Sequence, residues 1–376
     1  MVNMFVKNRD SLLSLAKNEI EYNYLSFLIE VVEAGLNYAQ PENLLSAKVS
    51  IIAKNLIVEG HEYSLSKFKR YYLIAFGKAA IPMTKWFLKH FPVVFNEIVV
   101  ASLETKIDFD SNVTYFQCGH PYPNEGSIKA ANYVLNLLSS LSKDDLCIML
   151  ISGGGSAILE KPAYKISLDD YNILVQKLLL CGAPIKEINT IRKHFSAVKG
   201  GRLAVSTKAT IISLIMSDVI GDCISVIASG PTVPDLTTWR DVHNIFLKYD
   251  LYSALPRVFA DIVDKGIKGT ILDTPSEKDK FQHVRNYVIG SNNQLIRYLK
   301  RYILNAQFNA EIIDYPIQGE ARDIGQQLAQ KIKARVSSMS KSQQEKPCLF
   351  LSGGETTVTI VETSNCGYGG RNQELA

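Results

Sequence analysis

Four short glycine-containing turns in this sequence carry side chains able to handle anions. They are Phe76-Gly77-Lys78-Ala79, Ser152-Gly153-Gly154-Gly155-Ser156, Ser352-Gly353-Gly354-Glu355-Thr356 and Gly367-Tyr368-Gly369-Gly370-Arg371-Asn372. Glycine where a strand breaks lets the backbone approach an anion, and the start of a following helix adds partial positive charge. Several such turns in one chain point to a ligand with several phosphates, or with a phosphate and a carboxylate. The triple glycine costs entropy and gains little in packing; its alternative is a crowded turn against a neighbouring helix. Lys78, directly after a strand, is expected to project over the sheet edge, with a solvated surface lysine as the alternative. Arg371 follows a flexible glycine pair and suits a planar, two-pronged grip on phosphate or carboxylate. Glu355 sits at a comparable turn, and these two C-terminal turns are expected to share one site.

Two further constellations bear charge. Asp218 and Asp222 follow an apolar run and flank Gly221, and Mg²⁺ commonly takes one or two carboxylates together with phosphate oxygens and water. The alternative is that both carboxylates cap local N–H groups, as Asp does at turns. Between Asn189 and Arg202, the cations Arg192, Lys193, Lys199 and Arg202 and the imidazole of His194 are either a cradle for an anionic substrate or a solvated helix face. No G-x-G-x-x-G fingerprint follows the strand before Ser152, because Ile158 stands where glycine or alanine is needed, and no P-loop pattern occurs.

The elements that must hold these turns alternate. Helical spacing from Leu12 to Val32, after an Asp10-Ser11 start, gives a helical N-terminus. Apolar runs at Tyr71–Phe76, Ile98–Ala101, Cys147–Ile151 and Ile211–Met216 read as buried strands separated by helical stretches, hence a parallel sheet with crossovers. A helix over Thr238–Tyr249 and the polar stretch Asp264–Lys280 read as the approach to a second set of strands near Asn286–Ile289, Ala310–Ile313, Cys348–Leu351 and Thr356–Val361, with a polar loop at 337–346. The fold class is α/β with two domains, 1–255 larger and Rossmann-like and 256–376 smaller, with the site expected in the cleft between them.

Composition narrows the partners. The 376 residues suit two domains. With 41 Lys and Arg against 37 Asp and Glu, the formal charge of +4 shows no basic block, so nucleic acid is not the expected partner. The six cysteines lack zinc spacing or a C-x-x-C pair. No apolar run reaches the roughly 20 residues of a membrane span. A reduced, cytoplasmic protein without a membrane partner is expected, and a homodimer is the default for a soluble enzyme.

In their order and number these segments resemble the glycerate 2-kinase family, in which a Rossmann-like domain is joined to a smaller domain called MOFRL. The resemblance runs from Gly77-Lys78 through Gly119-His120-Pro121, Ser152–Ala157, Ile188–His194, Lys199–Ala204, Ser217–Asp222, Ser229–Val233 and Ser352–Thr357 to Gly369–Glu374. It implies ATP-dependent phosphorylation of D-glycerate at its 2-hydroxyl, with a divalent cation such as Mg²⁺. The catalytic pair, one residue from each domain, falls on Lys78 and Arg371. Gly77, Ser152, Gly153, Gly154, Gly155, Ser156, Gly353, Gly354 and Glu355 are then phosphate-binding, and Asp218 and Asp222 orient the cation. Arg192 and Lys193 are the candidates for the glycerate carboxylate.

The sequence departs from the family in two places. Cys223 stands where an acidic residue is more common, and the chain ends at Ala376 whereas family members continue, so the C-terminal domain is expected to be incomplete. Two other readings stay open: an oxidoreductase acting on hydroxypyruvate, against which the missing fingerprint argues, and a non-catalytic remnant that binds nucleotide or glycerate.

Overall fold

A computed structural model describes residues 5–104, 109, 113–339, 347–359 and 370–376. Gly367, Tyr368 and Gly369 of the last turn lie outside the described residues, as do Ile360 and Val361 of the last expected strand and 340–346 of the expected polar loop. The strands in chain order are β1 (Val49–Ile52), β2 (Asn55–Val58), β3 (His61–Ser64), β4 (Arg70–Phe76), β5 (Glu97–Ser102), β6 (Thr114–Gln117), β7 (Asp145–Ile151), β8 (Thr210–Met216), β9 (Val284–Gly290), β10 (Asn309–Ile312), β11 (Ile317–Glu320), β12 (Cys348–Leu351) and β13 (Gly354–Thr357). The chain divides into two compact units, Leu44–Ile289 and Met1–Asn43 together with Gly290–Ala376.

The larger unit is built on a six-stranded sheet in the order β6-β5-β4-β7-β8-β9, parallel from β6 through β8. Numbered within the sheet this order is 3-2-1-4-5-6, the doubly wound arrangement whose strand order reverses between the first and fourth strands, here β4 and β7. Both faces are covered, which is why these strands read as continuous apolar runs. Tyr72, Ile74 and Phe76 of β4 pack on one side with Ala130, Ala131, Val134 and Leu138 from the helix Glu125–Ser140. Leu73 and Ala75 pack on the other with Met83, Trp86 and Phe87 from the helix Ala80–His90. Each such aliphatic side chain removed from water contributes about 1.5–3 kcal/mol before entropy is counted. At the amino end, Arg70 grips the buried Asp145 through Nε (2.8 Å) and Nη2 (2.7 Å), tying β4 to β7.

The expected domain change at 255/256 falls inside this unit. Leu251, Leu255, Phe259, Ile262 and Val263 on either side of that point pack with Phe195 and Trp239 in one helical core. β9, expected in the second domain, lies at the edge of the large sheet beside β8, with Val284 in one face's core and Tyr287 and Ile289 in the other's. Apolar alternation shows that a strand exists but not which sheet receives it. A small antiparallel sheet, β1-β2-β3, precedes β4. The sequence reading missed it: Ala53-Lys54 carries no hairpin signature, and the one glycine-bearing turn is Glu59-Gly60, at φ 47° and 83°.

The smaller unit combines both ends of the chain. Its N-terminal helix, Glu19–Tyr38, is capped by Asn18, which accepts from Glu21 N. It packs on the helix Asn292–Asn305: Tyr38 stacks on Tyr298 at 4.2 Å, and Phe27 stacks on Phe308 at 4.0 Å. Two parallel strand pairs, β10 with β12 and β11 with β13, complete it. β13 begins two residues before the expected strand and ends at Thr357.

Candidate functional site

The turns after β4 and β7 lie side by side at the carboxyl edge of the sheet, where the strand order reverses. The backbone zips them together: Ser152 N donates to Phe76 O (3.2 Å), Lys78 N to Gly153 O (2.9 Å) and Ala79 N to Ser152 Oγ (3.0 Å). Gly77 must be glycine. Its φ is 119°, and a Cβ there would lie 2.3 Å from Ser152 Oγ and 2.6 Å from Ser152 O. Gly154 sits in the left-handed region at φ 80° and turns the chain into the single helical turn Gly155–Ile158. Beyond it, Ser156 Oγ bonds Ser229 Oγ (2.8 Å), which donates to Asn189 Oδ1 (2.7 Å).

Charged and titratable side chains line this turn. A Cβ on Gly153 would lie 2.3 Å from Asp218 Oδ2, so that carboxylate rests against the glycine. A Cβ on Gly154 would lie 3.2 Å from Lys78 Cε and 3.1 Å from His120 Cδ2. The N–H groups of Gly153 and Gly154 have no partner among the described residues, and the exposed Lys78 makes no ion pair there. Partial desolvation, then the charges of Lys78 and Arg192, push the pKa of the largely exposed His120 below its ordinary value, against the pull of Asp218. A lysine, an arginine, an aspartate and an imidazole therefore share one electrostatic neighbourhood around two unpartnered backbone donors.

The cationic segment after Asn189 is neither an open cradle nor a solvated face. Lys193 is buried and its Nζ lies 3.1 Å from Asp235 Oδ1, so its charge is already matched. Burial opposes ionisation of Asp235, but Lys193, Thr274 and Thr237 overcome it and hold the carboxyl below its usual range. Lys199, also buried, sits on Glu160 Oε2 at 2.5 Å, and that carboxylate accepts from Ser196 and Tyr171 as well. Arg192 differs: it is half-buried, and its Nε has no partner among the described residues. Asp222, four residues beyond Asp218, occupies a left-handed conformation (φ 52°) with its N–H on Val219 O. No group of three or more metal-ligating side chains occurs among the described residues. One or two carboxylates suffice for Mg²⁺ when phosphates complete the shell, and Asp218 at the glycine turn fits that donor set.

In the smaller unit Arg371 Nη1 pairs with Glu355 and donates to Thr356 O at 3.2 Å. These residues line a cavity of about 550 Å³ with Ile317, Gly354 and Gln373. Gly353 and Gly354 are tightly packed: a Cβ would lie 2.4 Å from Asn292 Oδ1 at the first and 2.0 Å from Ile317 O at the second.

A doubly wound sheet with glycine turns, a lysine and a carboxylate at its reversal point has the architecture of the α/β proteins that carry their ligand crevice at the carboxyl edge. A family model described as a domain of unknown function, DUF4147, matches residues 27–264. The glycerate 2-kinase of Pyrococcus horikoshii is 36% identical over 354 residues, covering 93% of this chain and 77% of its own. A putative hydroxypyruvate reductase of Agrobacterium vitis is 37% identical over 265 residues, 70% of this chain and 58% of that one. The crystal structure of a glycerate kinase from Thermotoga maritima superposes with a TM-score of 0.75 at 31% identity, over 93% of this chain and 78% of that one. The chain belongs to the glycerate 2-kinase family, whose members are phosphotransferases acting on an alcohol group. Among the described residues no helix is long and apolar enough to cross a membrane.

Proposed function

We propose that this protein transfers the γ-phosphoryl group of ATP to the 2-hydroxyl of D-glycerate, giving 2-phosphoglycerate and ADP and releasing the hydroxyl proton. The observation that carries the reading is the pair of turns at the sheet's reversal point, with two unpartnered N–H groups beside Lys78. Phosphoryl transfer asks little covalent chemistry of a protein; it needs positioning and neutralisation of charge on the moving group. The amides of Gly153 and Gly154 hold phosphate oxygens, supported by Gly77, Ser152, Gly155 and Ser156, and Lys78 counters the charge. Arg192, with its unpartnered Nε, is the better candidate of the 192/193 pair for the glycerate carboxylate. Asp218, with Asp222, would hold a divalent cation, which supplies further neutralisation of the phosphates when bound. In the smaller unit Arg371 is the second cation of the reaction, oriented by Glu355 in a segment shaped by Gly353 and Gly354.

The test incubates purified protein with ATP, Mg²⁺ and D-glycerate and couples the product through enolase, which responds only to 2-phosphoglycerate. Signal that disappears in Lys78→Ala supports the reading; no ATP-dependent product from a folded wild type overturns it. Absorbance of added NADH with hydroxypyruvate in the same preparation checks the reductase alternative that the Agrobacterium relative's name raises.

A further inference from the structure

His120 stands at the Gly154 turn on a loop that the fold ties down at both ends. That loop follows β6. Cys118 N donates to Ser102 O (2.8 Å), and Ser127 Oγ accepts from both Gly119 N (3.2 Å) and Asn124 N (3.3 Å). Ser127 N returns a bond to Asn124 Oδ1 (3.0 Å), and Asn172 Nδ2 holds Pro123 O (3.2 Å). The loop leaves no slack: a Cβ on Gly119 would meet Tyr122 O at 2.3 Å, and one on Gly126 would meet Gln117 O at 1.8 Å. All this rigidity delivers one exposed imidazole to Gly154, with Nε2 3.4 Å from where a Cβ would sit, opposite the stem of Lys78. Nothing in the packing of the core needs a histidine there.

We infer that His120 is a catalytic residue of the phosphoryl transfer, its imidazole N–H donating to a phosphate oxygen held over the Gly153-Gly154 turn beside Lys78. The inference rests on the kinase reading above. Lysine supplies a mobile point charge, whereas an imidazole on a clamped loop supplies a directed donor whose backbone needs no reorganisation as charge develops on the phosphoryl oxygens. Removing one such preorganised donor costs about 100-fold in kcat.

Two measurements on the full chain test this. In the coupled assay, His120→Ala is expected to lower kcat about 100-fold with little change in KM for either substrate, and His120→Gln, which keeps a neutral N–H donor, is expected to recover at least about tenfold of that loss. An alanine variant within about threefold of wild type, a pure rise in KM, or alanine and glutamine variants lowered equally each overturn the assignment. Independently of turnover, the histidine-labelled wild-type protein is titrated with ATP and Mg²⁺ while the ring resonances are followed by NMR, His120 being the signal absent from His120→Gln. That signal is expected to shift with ATP; a signal that ignores saturating ATP overturns the contact, even if the alanine variant misfolds. Should it shift in a protein that does not phosphorylate glycerate, the phosphate contact stands and the substrate reading fails.

Discussion

Ser152-Gly153-Gly154 and Ser352-Gly353-Gly354 are the same tripeptide, each following a strand of apolar residues, and the fold uses them in opposite ways. After β7 the first breaks the strand: Gly154 turns left-handed at φ 80° and a helical turn begins. The second does not break its chain for long: Gly354, at φ 153°, starts β13, which leaves the partner of β12 and pairs with β11 in another sheet. The serines differ too. Ser152 Oγ accepts from Ala79 N and joins two turns, whereas Ser352 Oγ donates to Asp314 O at the end of a neighbouring loop. Around the first pair of glycines stand Asp218, His120 and Lys78; around the second stand Ile317 O, Asn292 and Ile296. Close approach is what glycine provides in both places, and what approaches differs: charged and titratable side chains at the first, backbone and packing side chains at the second.

The largest effect expected is for Lys78→Ala, which should lower kcat about 1,000-fold in the enolase-coupled assay. Because the side chain is exposed, the unfolding free energy should stay within about 0.5 kcal/mol of wild type in denaturant melts. Next comes Gly154→Ala, where a left-handed alanine costs about 1–2 kcal/mol of stability and the new methyl pushes against His120 and Lys78. A misplacement of about 1 Å can cost about 100-fold, and these groups need yield only a few tenths of that. Activity should therefore fall by less than about 100-fold, with kcat and stability both lowered, read by paired kinetics and denaturant melts. Gly354→Ala should weigh on stability first. A methyl 2.0 Å from Ile317 O separates β11 from β13, costs about 2 kcal/mol or more, and should appear as lost amide-exchange protection in both strands. The smallest contrast is between the serines. Ser152→Ala leaves the Ala79 amide without its acceptor and should cost about 1–3 kcal/mol, whereas Ser352→Ala removes a donor to a carbonyl and should cost about 0.5–1.5 kcal/mol. Equal costs would mean that the two turns are more alike than their geometry.

The strands of the large sheet were legible because burial on both faces leaves uninterrupted apolar runs, as in Leu146-Cys147-Ile148-Met149-Leu150-Ile151. The turns themselves were legible because glycines follow apolar runs, but not which of them would stand open and which would be packed shut, as Gly153-Gly154 and Gly353-Gly354 show. What stayed hidden were partnerships across long stretches of chain. Lys193 and Lys199 looked available in sequence, and only the fold brings Asp235 and Glu160 to neutralise them. His120 was hidden for the same reason, since the 33 residues between it and Gly154 say nothing about their meeting. The boundary near 255 was misread because a polar helical stretch resembles a linker unless Phe259 and Val263 are seen to be buried.

The smaller unit draws on residues before Asn43 and after Gly290, and this has a consequence for synthesis. Phe27 leaves the ribosome long before Phe308, its stacking partner, exists; at typical elongation rates the wait is roughly 15 to 50 s. During that time the 44–289 unit can complete its own sheet, while the helix Glu19–Tyr38 has no native surface to cover. Released chains truncated just before Phe308 should therefore carry a finished larger unit and an N-terminal segment open to chaperones and proteases.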